Sequence, residues 1–216
     1  MSTVSLNDSL EYVMADVPGC PRNLVLREIR EAAIELCEFS YIWRVEMISL
    51  GILAGISAYE IEKPAGSNLV KVLGVRVEDR NITPKTQDWL DRVDARGWRD
   101  LTGTAQYYMM DESDVILLNR KPKDSVTSAL KASLCLKPAR SATTIPEFLF
   151  EDWITVIANG AKSKLMTIQN KTWSNPELGI AMISLFKAGK VRARIEAKKG
   201  DSTADLRVNR RRIVSG

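Results

Sequence analysis

From Pro21 the chain reads RNLVLREIREAAIELCEFSYIWR, and its apolar side chains recur at alternating spacings of three and four. Leu26, Ile29, Ala33, Leu36, Ser40 and Trp43 share one stripe, the period of an α-helix and not of a strand. Pro21 suits the first helical position, where its missing N–H would have no partner anyway. The opposite side carries Arg27, Glu28, Arg30, Glu31, Glu35 and Glu38, a face expected to be solvated or to meet a basic partner. Glu31 and Glu35 repeat a like charge one turn apart, slightly unfavourable in an isolated helix.

After Trp43 the texture changes. Gly, Pro, Ser and Asn cut the sequence into short pieces, and LVKVLGVRVED (residues 69–79) alternates apolar and polar around Val70, Val72, Val75 and Val77. Gly74 inside that stretch suggests a β-bulge or a close backbone approach. AQYYMMDESDVILLNRKP reads as a hairpin turning at residues 111–114, and DSVTSALKASLCLKPAR as a further strand with Val126, Ala129, Leu134 and Leu136 on one side. TPKTQDWLDRVDARGW suits one short helix with Trp89, Leu90 and Val93 facing inward. Val45 to Pro138 is therefore expected to be a β-rich insert of roughly four to six strands.

Helical signals then return. Thr144 is placed as an N-cap, with Pro146 near the first turn and Glu147, Glu151 and Asp152 at the positive helix pole. Leu149, Trp153, Val156, Gly160 and Leu165 keep the helical period. The device repeats with Ser174 or Asn175 as cap, Pro176, Glu177 and a stop at Gly200. Ala181, Leu185 and Ala188 (or Gly189) suggest a thin face permitting close helix approach. The expected fold class is thus α+β: a bundle of three main helices with a β-rich insert between the first and second, and an extended basic arm. The corresponding segments are 1–44, 45–140, 141–200 and 201–216.

Composition narrows the chemistry. The 216 residues contain no histidine, which excludes Ser-His-Asp and Cys-His catalysis and histidine zinc sites. Cys20, Cys37 and Cys135 are far apart, as reduced buried thiols in a cytoplasmic setting would be. Neither a Walker-type nor a dinucleotide-binding glycine loop is present. No apolar run approaches a bilayer span, and the start lacks the features of a signal peptide. Hydrophobic content of 45% and charged content of 27%, with mean hydropathy −0.13, fit an ordinary soluble globular protein. No cofactor, metal or membrane partner is expected.

The net charge of +4 hides an asymmetry. Lys187 to Gly216 holds ten Lys or Arg against three acids, leaving 21 bases and 24 acids on the other 186 residues. Bases in the last turns of a helix suit its negative pole. The terminal DSTADLRVNRRRIVSG has no such explanation, because it lies beyond the stop at Gly200.

Taken together, VPGCPRNLVLREIREAAIELCEFSYIWR, GTAQYYMM, LCLKPARSATTIPEFLFEDWITVIANGAKSKLM and WSNPELGIAMISLFKAGKVRARIEAKKG resemble a family of tailed-bacteriophage head-to-tail adaptor proteins related to tail tubular protein A of short-tailed phages. The similarity runs from about Val17 to Arg212. It implies a non-enzymatic virion protein at the head–tail junction, made in the host cytoplasm. It further implies a homo-oligomeric ring, usually a dodecamer, docked beneath the portal protein and above a downstream tail or nozzle protein. DNA would pass along its axial channel without sequence-specific binding. In that setting Leu206, Arg207, Val208, Arg210, Arg211, Arg212, Ile213 and Val214 are the expected portal or subunit contact, arginine forks meeting carboxylates and aliphatic side chains anchoring between them.

Four other readings compete. The terminal arginines could be a solubilising end, or could bind DNA phosphates, although no aromatic residue interleaves them. Glu151–Asp152 or the acids at 111–114 could serve as a carboxylate pair in a cell-wall hydrolase, yet a helix pole and a turn already account for them. A helix-turn-helix regulator has no place for the β-rich insert. Trp43, Trp153 and Trp173 are expected as core or subunit anchors. Trp89 and Trp98 are expected to pack under the insert, with partial exposure toward a tail protein as the alternative.

Overall fold

The computed structural model describes residues 2–47, 50–93, 97–111 and 114–200. The chain opens with β1 (Thr3–Ser5), a 3-10 turn (Leu6–Ser9), α1 (Glu11–Met14) and the long α2 (Arg22–Ser40). Strands β2 (Arg44–Glu46), β3 (Leu50–Ile52), β4 (Ala58–Glu60), β5 (Ser67–Val77) and β6 (Arg80–Pro84) follow. Next come α3 (Gln87–Val93), a 3-10 turn (Trp98–Asp100), β7 (Tyr107–Asp111), β8 (Val115–Leu118) and β9 (Val126–Pro138). The last elements are β10 (Thr144–Pro146), α4 (Glu147–Met166) and α5 (Pro176–Lys199).

Eight strands form one curled, mixed sheet, a half-barrel with the order β2–β9–β5–β6–β7–β8–β4. β9 organises it. One edge of its 13 residues pairs with β2 and then β3, while the other pairs with β5 from Ser67↔Pro138 to Val77↔Leu130. Only β6 and β7 run parallel among the described pairs. Within β5 the register shifts twice, between Leu69 and Lys71 and between Val72 and Gly74. Each shift inserts a residue with no partner on β9, and such bulges bend a strand and increase its twist. The second is the irregularity expected at Gly74.

The helices cover β9. α2 packs on it from one side and on α4 and α5 from the other, so Val25, Ile29, Ala32, Ala33, Leu36 and Cys37 are all buried. Close helix approach depends on two glycines. A Cβ at Gly160 would stand 2.9 Å from the Ala32 Cβ and 2.9 Å from the Phe186 ring, and one at Gly189 would stand 2.5 Å from a Val156 methyl. A two-stranded ribbon ties the ends of this layer together, with Thr3↔Pro146 and Ser5↔Thr144 in antiparallel register. One hydrophobic cluster draws on all of these parts, from Leu6 through Leu134 to Ala193.

These observations overturn the expected three-helix bundle with a β-rich insert. Among the described residues there are five α-helices, and the sheet is a main layer of the molecule and no appendage. Strand number was underestimated because β2, β3 and β4 are three residues each, too short for a period-two pattern to register. Thr144 is no helix cap, since Thr144–Pro146 pairs as a strand and α4 starts at Glu147. Trp43 lies beyond α2, which ends at Ser40 with Tyr41 in a left-handed conformation (φ 57°). On α3, Leu90 is buried and Trp89 half-buried, while Val93 faces solvent. On α5 the inner face is Gly179, Phe186, Ala193 and Ala197, with Leu185 outside. Its ends match the sequence signals, with Asn175 Oδ1 accepting from Leu178 N at 3.2 Å and Gly200 stopping the helix.

Gly189→Ala should therefore destabilise the protein by about 1–3 kcal/mol in urea unfolding, despite the better helix propensity of alanine. In a Val156→Ala background, where the obstructing methyls are gone, the same change should cost little.

Candidate functional site

The charged face of α2 has its basic partner within the chain. Glu31 pairs with Arg140 at 2.6 Å, Glu38 with Lys137 at 2.5 Å, and Glu35 with Lys190 at 2.5 Å and Lys164 at 3.3 Å. Arg30 donates from Nε to the Ala142 carbonyl at 2.8 Å and from Nη1 to that of Arg140 at 2.9 Å. Glu28, inside the buried side of the helix, is paired with Arg27 at 2.8 Å. The seam joins α2 to α4, to α5 and to the chain leaving β9. Like charges at Glu31 and Glu35 are tolerated because each meets its own cation.

Lys190 also lies 4.7 Å from the centre of the Phe186 ring; Arg192 stacks on Trp153 at 4.9 Å and Arg194 on Phe39 at 5.2 Å. Part of the basic cluster of the last helix thus fastens α5 to its neighbours.

What α5 turns outward is apolar. Five of the twelve exposed large hydrophobic residues among the described positions lie on this one helix: Leu178, Ile180, Leu185, Val191 and Ile195. Ile180, Ser184, Ala188, Val191 and Ile195 follow spacings of four, four, three and four, one continuous stripe opposite the packed face. Ser184 Oγ donates back to the Ile180 carbonyl at 3.3 Å, so its hydroxyl needs no outside partner. Ile180 is 63% exposed and Val191 49%. Lys187, Arg192, Arg194 and Lys198 flank the stripe, against Glu177 and Glu196.

Of the suspected carboxylate pairs, Glu151 and Asp152 are exposed neighbours near the start of α4, and Asp152 edges a groove of about 410 Å3 with Arg44, Phe148 and Glu196. Asp111 is exposed and Asp114 is ion-paired with Lys63, while Glu112 and Ser113 lie outside the described residues. Among the described residues no group of histidine, cysteine or acidic side chains could hold a metal ion. All three cysteines are buried and free. Burial pushes the Cys135 thiol up to about 11, and burial together with the nearby Cys135 and Glu38 raises Cys37 further, so both stay protonated and unreactive at neutral pH.

The arm residues Leu206, Arg207, Val208, Arg210, Arg211, Arg212, Ile213 and Val214 lie outside the described residues, the last described position being Gly200. Trp43 and Trp153 are core, and Trp173 is half-buried. Trp98 is only 2% exposed, at the heart of a small second cluster with Leu90 and Met109, its Nε1 donating to Asp91 at 2.7 Å. Sequence reasoning missed the outward stripe because it assigned Leu185 and Ala188 to the packed side. Ile180, Val191 and Ile195 were readable as a second apolar face.

No protein-family model matches the chain, and no curated protein matches it significantly. Among the described residues no helix is long and apolar enough to cross a membrane.

Burial pushes the Glu35 carboxyl up, but the hydrogen bond and charge of Lys190, then those of Lys164, outweigh it and hold the group below the ordinary glutamate range. A carboxyl that ionises more readily when folded stabilises above its unfolded value, about pH 4.3, and the contribution fades as pH falls through the lower folded value. Glu35→Gln should cost about 1 kcal/mol at pH 7, limited by solvent screening of a side chain 40% exposed. The gap from wild type in urea titrations should close as pH falls toward 3.

Proposed function

We propose that the protein is an assembly subunit: a head-to-tail adaptor that forms a ring beneath a phage portal and extends the DNA channel toward the tail. The observation that carries this reading is the unpartnered apolar stripe on α5, flanked mainly by cations. An isologous pairing of two such faces would set cation against cation, so the complementary surface is acidic. The same chain offers one on a different flank, where α1 packs beside the start of α4. There the exposed Tyr12 ring meets Phe150 edge-on at 5.9 Å, and Asp8, Glu11, Glu147 and Glu151 are exposed on these same packed elements. Two different patches meeting head to tail are the geometry of a closed ring.

In this scheme the arm from Leu206 to Val214 is the portal hook, its arginines seeking carboxylates. A rigid helix face would set subunit spacing, and the segment following it would reach the scaffold. The chemistry required is contact and not turnover.

The test is mass by light scattering, for the full chain alone and with portal rings. Wild type should assemble on the portal in ring-sized multiples. Ile180→Glu with Val191→Glu should stay folded by circular dichroism, because both residues are exposed, yet lose assembly at least tenfold in midpoint concentration. Deleting residues 201–216 should leave a folded protein that no longer binds portals. Unaltered assembly by the double variant, together with unaltered portal binding by the deletion, would remove the basis of this reading.

A further inference from the structure

The sheet is short of one strand-length between β5 and β7. β6 pairs with β5 only at Val75↔Ile82, Arg76↔Asn81 and Val77↔Arg80. On its other edge it pairs with β7 through Thr83↔Tyr107 and Pro84↔Tyr108, and Lys85 N donates to the Tyr108 carbonyl at 2.8 Å. The chain then departs into α3. β5 runs on from Gly74 back to Ser67 with β9 on one edge, and β7 runs on through Met109 to Asp111 with β8 on one edge. The two inner edges flank the line that β6 would have followed. Both bulges of β5 fall in this stretch, and bulges are where a bent strand stops pairing.

A groove of about 890 Å3 occupies the place. Leu69, Val72 and Leu73 form one wall; Tyr108, Met109 and Met110 form the other, with Pro84–Gln87 closing the end. Methionine walls adapt to varied side chains. Leu73 is 38% exposed in the gap. The charged residues lining the groove are Lys71 and Lys85, both positive. Lys85 stands 4.1 Å above the Trp89 ring and 5.7 Å from that of Tyr107, which holds its ammonium at the closed end.

We infer that this slot is a docking site for an extended segment of another protein, one that alternates acidic and apolar residues. The segment would continue β6, antiparallel to β5 and parallel to β7, with main-chain hydrogen bonds to both edges. Strand addition of this kind draws affinity from the backbone and specificity from alternate side chains. Apolar side chains would enter the Leu and Met walls, and carboxylates would meet Lys71 and Lys85. The basic segment 201–216 of a second copy is the wrong charge for the slot. Lys71 also protects the open edge from pairing with a like edge of another copy. The inference does not depend on the adaptor reading, since any partner that presents such a segment satisfies it.

A displayed library of random octapeptides, selected on the full chain, supplies the test. Selection should enrich alternating acidic and apolar sequences. The winning synthetic peptide should slow amide exchange at Leu69–Leu73 and Met109–Asp111 but not on α5. Lys71→Glu with Lys85→Glu should weaken it at least tenfold and should restore binding when the acids of the peptide become lysines. Four results would overturn the proposal: no enrichment, enrichment of basic sequences, protection elsewhere, or a single-stranded oligonucleotide outcompeting the peptide in the slot.

Discussion

Everything in this molecule depends on β9 being covered on both faces while paired on both edges. Its 13 residues take β2 and β3 on one side and the bulged β5 on the other, and α2 lies across it. Leu130, Leu134, Cys135 and Leu136 are fully buried as a result, and removing any of them from water is worth on the order of 1.5–3 kcal/mol. The helical layer is seated on this strand through α2, which in turn presents Ala32 and Glu35 to α4 and α5. Sheet and helices therefore share one core. The orientation of the outward stripe on α5 is inherited from that stack: Phe186 fits where Gly160 leaves room, and Ile180, Val191 and Ile195 are left facing solvent.

Charge has two roles along the same helix. Lys190 closes the pair with Glu35, and Arg192 and Arg194 lie over Trp153 and Phe39. Lys190 is fastened inward, whereas Arg192 and Arg194 lie along aromatic rings yet stay exposed and still border the outer stripe. Lys187 and Lys198 remain on the outer side of the helix. An apolar stripe with a basic border is selective in a way neither element is alone, because burial supplies attraction and the border rejects a like-charged partner.

How much was legible follows from which interactions are local. The limits of α5 could be read from Asn175, Pro176 and Gly200 because capping involves residues a few positions apart. The bulge at Gly74 was likewise visible. Thr144 had equally good cap chemistry, but its backbone is engaged by Ser5, a partner 139 residues away that no local pattern announces. The first twenty residues were assigned no element. Leu6, Leu10, Val13, Val17 and Cys20 are nevertheless all buried, at spacings of four, three, four and three. That signal was present and was outvoted by the surrounding Asp, Glu and Ser. The inner face of α5 was read in part: Gly189 does meet Val156 closely, but Leu185 lies outside and the second contact is Phe186, inserted into the gap that Gly160 leaves on α4. The slot beside β5 could not be foreseen, since a missing strand leaves no residue to read.

The ribbon of Thr3–Ser5 with Thr144–Pro146 bears on how the chain is made. During synthesis β1 emerges well before β10, its strand partner among the described residues, which follows some 140 residues later. Until then Leu6, Leu10 and Val13 have no completed α4 to rest on, and loop closure over that distance is slow. Over that interval the apolar side of the opening segment is uncovered, the condition under which nascent chains tend to associate prematurely.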